Sequence, residues 1–189
     1  MALEAIFRQL VKQIHQLHDA LHALSVTVGD RPEDHGAALA DDLDNTVLDL
    51  VGVLHQARKA ALNARQAVMH PVDLDRSRRA LTVCQSCFHS IEQQFAAKLV
   101  SYEKLKELAR LGGVRGGEWL PWATSTMQAI EECRLPVEAV SLALVHCWQE
   151  IAERLGTTSI SVQNSNIGQT FKADHIERVD VEEAVHEGT

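Results

Sequence analysis

Apolar residues recur along this chain at alternating intervals of three and four, and no other feature of the sequence limits its fold so severely. The first run is Leu3, Phe7, Leu10, Ile14, Leu17, Leu21, Leu24 and Val28. An α-helix advances about 3.6 residues per turn, so this spacing holds the apolar side chains on one stripe that a second helix must cover. The stripe stops at Gly29-Asp30-Arg31-Pro32, where glycine and proline punctuate the chain.

Three more stripes follow. Ala40, Leu43, Val47, Leu50, Leu54, Ala57, Ala61, Ala64 and Val68 form the second, and its alanine-built second half predicts close approach of a neighbour. It begins among Asp41, Asp42 and Asp44 and ends among Arg58, Lys59 and Arg65, the order that complements a helix dipole. His70-Pro71 closes it, and Asp73 is placed to cap the next helix. The third stripe runs Leu81, Cys84, Phe88, Ile91, Phe95, Leu99, Tyr102, Leu105 and Leu108, with an end expected at Gly112-Gly113. The fourth, from about Leu120 to Leu155, carries Ala123, Met127, Ile130, Cys133, Val137, Val140, Leu144, Trp148 and Ile151, with Pro136 inside it.

Short connections between long helices make them antiparallel neighbours. The expectation is an all-α, elongated, antiparallel up-down four-helix bundle over residues 1–156, its fourth helix kinked or split near Pro136.

Beyond Gly156 the pattern changes. Ile160 and Val162 alternate with polar residues, Asn164-Ser165-Asn166 suits a turn, and Ile167 to Phe171 suits a returning strand. Residues 157–189 are therefore expected to form a short, β-prone or irregular acidic tail with a disordered end. The formal net charge of the chain is −8. The tail sets Lys172 and Arg178 against Asp174, Glu177, Asp180, Glu182, Glu183 and Glu187, which is half of that deficit.

This balance argues against a general nucleic-acid or anionic-membrane binder. No apolar run approaches the roughly 18 residues of a membrane span, and the opening MALEAIFRQLVKQ lacks an apolar signal region. A cytoplasmic location, with four reduced cysteines, is the expectation.

The residue patterns that carry chemistry elsewhere each meet a structural alternative. Cys84-Gln-Ser-Cys87-Phe-His89 departs from the haem-attachment motif, because Phe88 separates the second cysteine from the histidine, and no βαβ context supports a redox CxxC. Cys84 sits on the apolar stripe, where cysteine packs as a small hydrophobe. Cys133, His146 and Cys147 would be needed to complete a zinc site, but they lack the close paired spacing of one. His15, His18 and His22 recur along one side of the first helix, with His15 and His22 on the outer face and His18 at the seam. His18-Asp19 and His55-Gln-Ala-Arg58 echo phospho-accepting histidines on helical bundles, although Lys59 stands where those domains carry a small residue. The Gly112-Gly113-Val-Arg-Gly116-Gly117 segment has no phosphate-loop lysine. Arg115, Trp119 and Trp122 around it are interface-type side chains.

The stretches Cys147–Arg154 and Ser161–Gln169 resemble a family of bacterial helical proteins, and that resemblance brings no activity, cofactor or site residue with it. The functional expectation is a non-enzymatic protein–protein interaction module, acting as an adaptor, a scaffold or a subunit of a larger bacterial assembly. Its partner-binding residues are expected to be Arg115, Trp119, Trp122, Ile160, Val162, Ile167 and Phe171. The tail would pair with a protein partner or with another copy of the chain, by adding to a sheet edge. No catalytic residue, metal, cofactor, small-molecule substrate, nucleic acid or membrane is assigned. The alternatives are a histidine phosphotransfer protein using His18 or His55, and a Cys/His metal or redox sensor.

Overall fold

A computed structural model of the chain describes residues 3–32, 37–69, 71–115 and 119–156, with the backbone alone described at 37–38, 99–102 and 108–115. They form five helices: α1 (Leu3–Gly29), α2 (Ala37–Ala67), α3 (Leu74–Arg115), α4 (Trp119–Glu132) and α5 (Arg134–Leu155). No strand occurs among the described residues.

The five helices make four rods, because α4 and α5 run end to end. α1 packs beside α2 on one side and beside the α4–α5 rod on the other, and α3 closes the ring between α2 and that same rod. The relations α1 to α3 and α2 to α4–α5 are diagonal. The described chain is all-helical, and these contacts fit the expected bundle arrangement. α3, with 42 residues, is roughly 60 Å long at about 1.5 Å per residue, so the bundle is elongated.

The stripes become the core. Phe7, Leu10, Ile14, Leu17 and Leu21 of α1 are fully buried. Every residue of the second stripe in α2 from Ala40 to Ala64 is buried, with Val68 buried just beyond the helix end. Each fully buried leucine or phenylalanine contributes roughly 1.5–3 kcal/mol, against a few tenths for helix propensity, so burial of the stripe holds each helix in place. Ala57, Ala60, Ala61, Ala64 and Ala67 are all buried, which is the close approach anticipated from the alanines.

Polar ties set the register of α2 on α3. The Ser77 hydroxyl donates to the Ala64 carbonyl at 3.1 Å in the core, and the Lys98 ammonium donates to the Asp42 carbonyl at 3.4 Å. From Ser77 to Lys98 is 21 residues, and from Ala64 back to Asp42 is 22, so the antiparallel register holds over most of the hairpin. Asp73 caps α3 as expected: its carboxylate accepts the Arg76 backbone N–H at 2.9 Å.

Two boundaries differ in detail from the sequence expectation. The fourth rod breaks at Cys133, three residues before Pro136. Proline has no N–H to donate to the Glu132 carbonyl and its ring crowds that carbonyl, so the interruption falls on the preceding turn. The Cys133 backbone stays in the right-handed helical region, and Val137 donates back to the Cys133 carbonyl at 3.1 Å. The rod is therefore split without a loop. α3, in contrast, runs through Gly112 and Gly113 to Arg115 instead of stopping there. Two helical glycines cost about 1 kcal/mol each, and extending an established helix adds a backbone hydrogen bond per residue.

Candidate functional site

The positions of the four cysteines bear directly on metal and redox chemistry. Cys84, Cys133 and Cys147 are buried and Cys87 is half-buried, all as free thiols. Burial pushes the Cys84 and Cys133 thiols up to about 12 and raises that of Cys147 further. Cys84 of α3 and Cys147 of α5 lie close enough that a charge on one opposes ionisation of the other. Cys133 is fourteen residues earlier on the same rod as Cys147, or about 20 Å along the axis. The four sulfurs therefore do not converge on one ion. A protonated thiol in an apolar core is a poor nucleophile and a poor ligand.

The histidines of α1 form a different arrangement. His15, His18 and Asp19 bring one ligand atom each within 4.8 Å of one another. His15 Nε2 is 3.9 Å from one Asp19 oxygen and His18 Nδ1 is 3.6 Å from the other, while the two imidazoles stack at 13° with centroids 6.3 Å apart. Helical spacings of three and four place these side chains together. His22, grouped with the other two on sequence spacing, is exposed and outside the cluster, and Asp19 takes its place. His18 Nδ1 itself is closed off from solvent, so an ion would have to part the surrounding side chains to reach it. His55 is exposed on α2, with Lys59 exposed one turn further on.

The two tryptophans divide. Trp122 is buried, and its indole N–H donates to the Val28 carbonyl at 3.4 Å, covering the open end of α1. Trp119 is half-buried and meets Trp122 edge to face at 5.3 Å. Trp122 is therefore a cap on the core rather than a free anchor, because its apolar ring and its single donor are both already satisfied inside the bundle. Arg115 ends α3, but its side chain lies outside the described residues, as do Ile160, Val162, Ile167 and Phe171.

Spacing did not single out the apolar side chains left on the surface. Leu135 and Leu142 on α5 are 72% and 58% exposed and stand one heptad apart, with Ala139 half-buried between them. On α2, Leu48 and Leu62 are exposed on another heptad line, which His55 completes. Their signal was present in the sequence as leucines off the core stripe.

The chain matches no protein-family model, and comparison with curated proteins and with solved structures finds no match.

Proposed function

We propose that the chain is a non-enzymatic interaction module, an adaptor or scaffold whose partner is another protein. The observation that carries this reading is the outer face of α5. Leu135 and Leu142 remain exposed although the stripe of α5 itself, from Val137 to Ile151, is already covered. Exposed leucines a heptad apart suit the apolar stripe of an amphipathic helix, packed knobs-into-holes along α5. The tail, with Ile160, Val162, Ile167 and Phe171, follows directly from this helix and belongs to the same partner-binding region in this reading.

A photo-crosslinking amino acid at Leu142, compared with one at the exposed Asn45 of α2, tests the reading in the native cells. A discrete protein adduct is expected from position 142 alone, and it should vanish with Leu135→Glu while the helical circular dichroism is unchanged. No adduct at 142, or one indifferent to the charge at 135, would overturn it.

The cluster of His15, His18 and Asp19 favours a second reading, a sensor that holds a borderline divalent ion such as zinc or nickel through two imidazoles and a carboxylate. Equilibrium dialysis of the untagged chain against zinc should then give one bound ion, lost with His15→Ala. Absence of stoichiometric zinc would end this reading.

A further inference from the structure

The geometry points to an intramolecular docking of the acidic segment 174–187 on the tip of the α2–α3 hairpin. This holds or fails independently of the reading of α5, since it concerns the opposite chemistry at one end of the bundle.

The tip is basic in a chain whose formal charge is −8. Lys59, Arg76 and Arg79 are exposed there, and none makes an ion pair among the described residues. Apolar side chains of the same hairpin are exposed as well: Met69 is 46% exposed, Val72 52% and Val83 54%. Arg76, Arg79 and Val83 follow one another at intervals of three and four, so they share one outer stripe of α3.

The tail begins at the same end. Ser77 meets Ala64, Arg65 meets Glu4 and Trp122 meets Val28. α3 therefore runs parallel to α1 and antiparallel to the α4–α5 rod, which ends where α3 begins. Cys147 of α5 and Cys84 of α3 are within electrostatic range of each other. Eight residues carry α5 from Cys147 to its end at Leu155, and eight carry α3 back from Cys84 to Arg76. Gly156 therefore leaves α5 about level with Arg76, on an adjacent helix whose axis is roughly 8–10 Å away. Gly156, at φ 67°, turns the chain off the helix axis there, its N–H bonded to the Ala152 and Glu153 carbonyls. The 17 residues from 157 to 173 reach up to about 56 Å when extended, far more than the tip requires.

The segment that follows complements the tip in kind. Asp174, Glu177, Asp180, Glu182 and Glu183 are interleaved with Ile176, Val179 and Val181. Carboxylates can meet the three free cations while the β-branched residues cover Met69, Val72 and Val83. Held on the same chain, the segment sits at a high effective concentration, so individually weak exposed pairs add to a contact that two separate molecules would not sustain.

The test uses the full chain with Cys87→Ser, which removes the half-buried thiol, and a nitroxide on Val181→Cys. Amides of residues 72–83 should broaden in the nuclear magnetic resonance spectrum. They should sharpen at about 1 M salt, where the screening length is about 3 Å, and with Arg76→Glu plus Arg79→Glu. Both arginines are exposed, and an unchanged dispersion of the remaining amides shows that the bundle persists. Tip amides that stay sharp, or broadening that ignores charge reversal, would overturn the proposal. So would broadening that appears only on an isotope-labelled copy mixed with a separate spin-labelled one, since that contact is between two chains. Sharp tip amides that shift only on addition of polyglutamate would assign the tip to a foreign acidic partner and reject the tail.

Discussion

Glu4 and Arg65, 61 residues apart in sequence, are joined by two hydrogen bonds to a single carboxylate oxygen, from Arg65 Nε at 3.0 Å and Nη2 at 2.8 Å. The other Glu4 oxygen accepts from Arg8 Nη2 at 2.7 Å within α1, so the Arg65 guanidinium ties the end of α2 to a carboxylate that Arg8 also holds at the start of α1. The hydrogen bond from Arg8 and then that from Arg65 hold the Glu4 carboxyl below its ordinary range.

A carboxyl whose folded value is lowered stabilises the fold above its unfolded value of about 4.5, and that contribution disappears as the pH falls through the lowered one. Glu4→Gln should therefore lower the urea midpoint at pH 7, and the gap to the parent should close progressively in acid. Parallel urea titrations followed by circular dichroism at pH 7 and at several acidic values would measure it. A gap independent of pH would show that the carboxylate charge is not what joins the helices.

Leucines on and off the core stripe should respond oppositely. Leu17 is fully buried in α1, so Leu17→Ala should cost about 2–5 kcal/mol through lost burial and the cavity left behind. Leu135 is 72% exposed, so Leu135→Ala should stay within about 0.5 kcal/mol of the parent. Chemical denaturation of the two variants compares them directly.

Two glycines should also differ in sign. A Cβ added at Gly52, within α2, meets no atom within 4 Å, so Gly52→Ala should stabilise by about 0.5–1 kcal/mol. Gly156 has φ 67°, and Gly156→Ala should destabilise the end of α5 by about 1–2 kcal/mol. Thermal melts of both variants supply the measurement.

The thiols should react in two classes. Cys87, half-buried, should react with Ellman's reagent in the folded protein, whereas Cys84, Cys133 and Cys147 should react only after unfolding. Their raised values favour the neutral thiol in the fold. The sign is therefore opposite to that of Glu4: the stabilisation is complete below the unfolded thiol value near 9 and falls as the pH rises past it. Thiol counts with and without denaturant at pH 8 distinguish the classes.

Much of the fold was legible because helix periodicity is local. The run from Leu3 to Val28 encodes its own buried face, and all of it except the half-buried Leu3 lies in the core. Asp73 could be recognised as a cap for the same reason, since its bond to the Arg76 N–H spans only three residues. Cys147 was harder. It lies beside Trp148 on the seam of α5, and only the packing of α5 against α3 shows that it is as buried as Cys84.

The candidate surfaces were less legible. Spacing grouped His22 with His15 and His18, but the side chains of one helical turn join Asp19 to them instead. Trp122 had the composition of an interface anchor and was placed inside, where the Val28 carbonyl accepts its N–H.

The sequence by itself determined that this protein is a set of long amphipathic helices with one interrupted rod, because stripe periodicity and proline geometry act within a few residues. Tertiary structure alone decided which side chains stay free. Glu4 meets Arg65 and Trp122 meets Val28 only once the rods are laid antiparallel in one register. Such neighbours are set by how the helices pack, and that relation is spread across residues too far apart for any local pattern to record.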